Sequence, residues 1–187
     1  HKEYRRQRQM CIRDSNAALD EITQYVFEVL GNSNFNQEVH EAFMDCAIGT
    51  GCLLIEEGDA LNPIKFTAVP LPKIMLNNGP DNSIDTIFRK RKIPYNQLMV
   101  AYPQSVMSEN MMEQIEKNGN KKASIVELVY RLYDEPNVEK YKYCVACMNE
   151  EEVIFEKELE GTGSNPYVVF RWNKGSGEVY GLSLIHI

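Results

Sequence analysis

The sequence predicts an α+β fold in which N-terminal helices precede a mostly antiparallel sheet. Three observations point there. Helix-period patterns fill residues 16–48. Strand-length alternating segments dominate from Cys52 onward. Short polar turns, rather than crossover helices, join most of those later segments.

The first predicted helix covers 16–30, where Leu19, Ile22, Val26, Val29 and Leu30 recur at helical spacing. Asp20 and Glu21 suit its positive N-terminal end, and Gly31 stands where a helix stops. A second helix is predicted over 34–48. Asn34 and Gln37 form a capping-box pattern, and Phe35, Val39, Ala42, Phe43, Cys46 and Ala47 form the apolar stripe. Strands are predicted at 52–57, 64–69, 74–76 and 84–91, the last pairing antiparallel with its predecessor across the turn-rich 77–82. Pro94 fits the first turn of a short helix containing Leu98 and Met99. Another helix is predicted at 107–117, with Met111, Met112 and Ile115 apolar. The remainder reads as a meander of strands at 124–133, 141–148 and 153–159, with turns at 134–137 and 149–152, and then a last strand at 167–172.

Composition is that of a globular chain: 43% hydrophobic and 25% charged, with a net charge of −7. No apolar run reaches the ~20 residues of a membrane span, so no membrane partner is expected. The ends read as foreign. Residues 1–15 hold five Lys/Arg and two acids without periodicity, and Met10 to Ser15 and Ser183 to Ile187 resemble translated sequencing-adapter sequence. The expected organisation is therefore a non-native 1–15, a domain fragment at 16–181 and a non-native 182–187, with native sequence continuing past both ends. Without 1–15 the body is more acidic still, which disfavours a surface that grips phosphates.

Motifs that could carry chemistry have simpler readings. Five cysteines, an odd number without framework spacing, point to a reducing compartment. Cys144-Val145-Ala146-Cys147 lies inside a predicted strand, where positions i and i+3 face opposite ways, and Cys46/Cys52 lack the spacing of a second zinc pair. Gly49-Thr50-Gly51 follows a helix and precedes a strand, the reverse of a phosphate loop, so a helix end entering a strand is expected. Between the suspect ends His40 stands alone, which rules out a His-based triad or metal set there. The pairs Glu56/Glu57 and Asp81/Asp85, and the run 150–152, read as solvated turns and strand ends. Arg89-Lys90-Arg91-Lys92 reads as an edge or subunit-contact patch, with a nucleic-acid contact as the alternative, and only half of it can share one face. No catalytic, metal or cofactor constellation is recognised, so no cofactor is expected and the chain reads as a non-enzyme.

Three stretches, taken in order, resemble the head-to-tail connecting (portal) family of short-tailed bacteriophages. The first runs from Ser33 through Glu41 to Ala47-Ile48-Gly49-Thr50-Gly51-Cys52-Leu53. The second is Val69-Pro70-Leu71-Pro72, then Asn78-Gly79, Ile87-Phe88-Arg89 and Gln97-Leu98. The third is Pro166-Tyr167-Val168-Val169-Phe170-Arg171-Trp172, then Gly177-Glu178-Val179-Tyr180-Gly181. The resemblance implies a structural subunit of a closed ring at the portal vertex of the virion, usually of twelve copies, made in the host bacterial cytoplasm. Its partners would be further copies of itself, capsid proteins, the terminase motor and tail proteins. DNA would be packaged and ejected through the ring without specific contact from this segment. The segment would be most of the wing domain, with stem, clip and tunnel loop following residue 181. Trp172 and Tyr180 would anchor a strand-to-helix corner, with Gly177 and Gly181 turning sharply there. From the residues alone, another virion interaction protein, or an enzyme fragment lacking its active site, stays open.

Overall fold

The computed structural model describes residues 2–135 and 138–183, with side chains described from residue 15 onward. Expectations for His1, for Pro136 and Asn137 in the predicted turn, and for 184–187 lie outside the described residues.

Two helices come first, α1 (Lys2–Asn32) and α2 (Phe35–Ile48). Eight strands follow: β1 (Thr50–Glu57), β2 (Ile64–Ala68), β3 (Ile74–Asn78), β4 (Ile84–Pro94), β5 (Lys122–Leu132), β6 (Lys140–Cys147), β7 (Glu152–Glu160) and β8 (Tyr167–Arg171). Between β4 and β5 lie a 3-10 turn and two short helices, α3 (Leu98–Ala101) and α4 (Glu109–Asn118). Every strand pair is antiparallel. Strands β3 to β7 form a five-stranded meander, whereas β8 crosses to β1 and completes a three-stranded sheet ordered β2-β1-β8. The α+β architecture and the hairpins therefore match the sequence expectation.

Helix α1 starts well before residue 16. Residues 2–15 lack an apolar stripe but are rich in Arg, Gln and Lys, which favour helix on intrinsic grounds. The Asn34–Gln37 capping box does not form. The Asn34 side chain instead pairs with the backbone of Phe66, donating to its carbonyl at 2.7 Å and accepting from its N–H at 3.0 Å. Glu38 accepts from the Ala68 N–H at 2.6 Å and Asp45 from the Leu71 N–H at 3.0 Å. Polar side chains of α2 and its cap thus satisfy the open edge of β2 and the chain after it, which would otherwise be free to pair with another strand. Phe43 and Ala47 of the expected α2 stripe are exposed, while Ala42 and Cys46 are buried.

The core has three layers. Leu53 and Phe66 face Ala42 of α2 on one side of the small sheet. Cys52, Leu54 and Tyr167 face the other way, against Ile87, Val129 and Tyr141 of the large sheet. Beyond the small sheet, the same inner face of the large sheet is covered by Leu98, Tyr102 and Met111, which pack on Ile93, Ile125, Val145 and Ile154. Each fully buried Leu, Ile or Met contributes about 1.5–3 kcal/mol. Ser108 starts α4 by accepting the Met111 N–H at 3.3 Å.

Candidate functional site

The helix-to-strand step and the end of β8 meet in one corner. Gly49 closes α2 by donating to the carbonyls of Asp45 and Cys46, and Thr50, fully buried, opens β1. Thr50 is paired with Arg171 and Gly51 with Phe170. The chain then loops through Gly177, at φ +81°, and returns so that the Gly181 N–H donates to the Thr50 hydroxyl at 2.8 Å. Arg171 donates to the Val179 carbonyl at 2.7 Å, and the Tyr180 hydroxyl accepts from the Leu76 N–H at 3.0 Å. Backbones at Gly49 and Gly181 approach so closely that a Cβ on Gly181 would collide with the Gly49 carbonyl. A Cβ on Gly51 would collide with the Phe170 ring and lie 2.6 Å from the Ala42 carbonyl. Only glycine permits such approaches.

A second cluster lies at the seam where the small sheet and the α3–α4 cover meet over the large sheet. Glu127, on β5 directly opposite Arg89 of β4, is 1% exposed. One carboxylate oxygen accepts from Arg91 at 2.8 Å and the Tyr102 hydroxyl at 2.6 Å. The other accepts from Arg89 at 3.2 Å and the Tyr167 hydroxyl at 2.8 Å. Burial pushes the Glu127 carboxyl up, but Arg89, the Tyr102 hydrogen bond and Arg91 together hold it below its ordinary value. Burial and the Glu127 charge push both tyrosines well above the usual phenol range. At neutral pH the carboxylate is therefore ionised, the phenols are protonated, and the cluster has no proton to exchange. It works as a strut tying β4, β5, β8 and the residue after α3 together.

The structure gathers Gly49, Thr50, Gly51, Arg171, Tyr180 and Gly181 at the corner, with the Gly177 turn in the returning loop. It does not bring in Trp172, which is 73% exposed and anchors nothing among the described residues. Trp172 follows the last residue of β8, past the point where the sheet could cover it. Pro70 precedes the short 3-10 turn at Leu71–Lys73, whose Leu71 N–H reaches the Asp45 side chain in the last turn of α2; Pro166 offers its carbonyl to Ile55 at 2.8 Å; Glu178 is exposed. Tyr167 belongs to the Glu127 cluster. β4 lies between β3 and β5, but β3 reaches only to Arg89, so Lys90, Arg91 and Lys92 pair with β5 alone and their other side is a strand edge. Arg89 and Arg91 turn inward to Glu127, leaving Lys90 and Lys92 exposed on the other face. Asp85 is not a solvated turn residue either. It is 7% exposed and accepts from the Tyr133 hydroxyl at 2.8 Å and from Thr86 at 2.9 Å.

Sequence reasoning missed Glu127 and Tyr102. The available signal was parity: Glu127 alternates in step with Ala123, Ile125 and Val129, and Arg89 with Ile87 and Ile93. Cys147 is fully buried and Cys144 lies on the other face, as their spacing predicts. Burial pushes the Cys52 thiol up to about 12, against the pull of Arg89. Among the described residues no three His, Cys, Asp or Glu side chains gather as a metal ion would require.

The chain is thus an α+β domain with a fully hydrogen-bonded buried carboxylate and a tightly folded backbone corner. Comparison with known families narrows this. The chain belongs to the bacteriophage head to tail connecting protein family, whose sequence profile matches residues 2–186. No curated protein matches it. Membership makes the chain a structural virion component that joins head and tail, in contact with capsid and tail proteins and with copies of itself, in a family that is not enzymatic. Among the described residues no helix is long and apolar enough to cross a membrane.

Proposed function

We propose that the chain is a subunit of the portal ring, with residues 16–181 forming most of the wing, and that DNA is packaged and ejected through the ring's channel. The supporting observation is the corner. Thr50 and Gly181, 131 residues apart, come from the first and last of the stretches that resemble the portal family, and they fold against one another. A corner made this way fixes the path of the chain past Gly181, as the start of a stem would need. In this reading the ring has about twelve copies, docks a terminase motor, and resides at the portal vertex after synthesis in the host bacterium. The net charge of −7 suits a body past which DNA slides without adhering.

Negative-stain imaging of the complete gene product tests the reading. The expected result is closed rings with a central hole. Monomers or open filaments under conditions that also yield capsids would sink it.

A further inference from the structure

The five-stranded sheet has a second face that no element among the described residues covers. Its inner residues alternate with Phe88 on β4 and Val126, Leu128 and Tyr130 on β5, and the register sets Phe88 beside Leu128 and Met75. None of these five joins any of the three core clusters, and Met75 is 67% exposed. Lys90 and Lys92 rise from the same face, exposed, with no ion-pair partner among the described residues. A three-stranded patch of this kind, apolar and rimmed by cations, marks an interface.

The same chain carries a matching surface. Among the described residues, helix α1 packs on the domain only near its C-terminal end, where Leu30 joins Phe35 and Val39 beneath Phe66. At 100° per residue, Leu19, Ile22 and Val26 continue the face that Leu30 begins, and all three are 48–59% exposed. With about 1.5 Å of rise per residue, Leu19 projects roughly 16 Å beyond Leu30. Residues 16–32 hold Asp20, Glu21 and Glu28 and no Lys or Arg, and Asp20 borders the apolar stripe. None of the three acids has an ion-pair partner among the described residues.

From these two faces we infer that α1 of one copy docks on the outer face of the five-stranded sheet of the next, its apolar stripe over Phe88, Val126 and Leu128 and Asp20, the acid bordering that stripe, toward Lys90 and Lys92. The occupant is a second copy because both halves of the contact, apolar and oppositely charged, are present on one chain at separate places. Joining two different patches makes a head-to-tail contact, which propagates around a ring. The inference deepens the portal reading by naming its subunit contact, and it narrows the basic run at 89–92 to Lys90 and Lys92.

Mixing two variants of the full chain tests it. Ile22→Asp/Val26→Asp removes the helix face, and Lys90→Glu/Lys92→Glu reverses the sheet rim. All four positions are exposed, so thermal melting should report both variants folded. In sedimentation the unmodified chain should self-associate below about 1 mM, more weakly as salt rises. Each variant alone should show a dissociation constant raised about tenfold or more. An equimolar mixture should recover association with unmodified affinity, but stop at dimers, because only one intact pair of faces remains. An unmodified chain monomeric to 1 mM would overturn the inference, as would a mixture no stickier than its components. Rings in the complete gene product alongside a non-complementing mixture would refute this contact and leave the portal reading standing. Complementation without rings would do the reverse.

Discussion

Strand β4 presents two pairs of cations to opposite sides of one sheet, and their fates differ. Arg89 and Arg91 point inward and share a carboxylate that is also held by two tyrosines. Lys90 and Lys92 point outward into open solvent. The contrast shows that a charged run in a strand is two features interleaved at period two. Residue chemistry follows the division: guanidinium forks suit a buried carboxylate, and ammonium groups on flexible stems suit a surface. Inside, removing one partner strands the rest; outside, little depends on either lysine until something docks there.

The sharpest way to break this comparison is Glu127→Ala. It leaves Arg89 buried opposite a methyl group, and the expected loss is about 3–5 kcal/mol in denaturant unfolding. A loss below about 1 kcal/mol would mean that water reaches the arginines and that inside and outside are alike. The same carboxylate sets an acid limit. Its folded-state pKa lies below the ordinary 4.5, so its contribution is complete above that value and disappears as pH falls through the lower folded value. Glu127→Gln should flatten that part of the stability-versus-pH curve. Next comes Tyr167→Phe, which removes one donor to an ionised acceptor and ties β8 less firmly to β5. About 1.5–3 kcal/mol should be lost, and combining it with Tyr102→Phe should give a non-additive sum, since both serve one carboxylate. The smallest effect should come from Lys90→Glu/Lys92→Glu, whose melting temperature should stay within about 2 °C of the unmodified chain. A larger shift would show those lysines holding the fold together.

Much of the fold was legible. The hairpins around Asn78-Gly79 and the β5–β6–β7 meander follow from alternating segments cut by turn residues, which are local signals. The destination of β8 was not legible, because its partner β1 lies more than a hundred residues earlier and no local pattern names it. Asn34 misled for a related reason: its side chain satisfies the backbone of Phe66, a distant strand, where the local pattern offered a helix end. On β5 both alternation sets are apolar, Ala123, Ile125 and Val129 against Val126, Leu128 and Tyr130. Hydrophobicity alone could not say which face is inside, and so Glu127 went unnoticed. The family-like stretches at 49–51 and 171–181 were legible as residues, but their meeting was not. Trp172 was expected to anchor that corner with Tyr180, and the structure leaves it exposed just past the end of β8.

The loop between Arg171 and Gly181 has a mechanical consequence. Its last residues grip both sheets at once, Gly181 through Thr50 on β1 and Tyr180 through Leu76 on β3. One sheet cannot slide over the other without tearing a fastening shared by both. A displacement of the chain at Gly181 would therefore be felt by β1 and β3 together, through Thr50 and Leu76, rather than by one sheet alone.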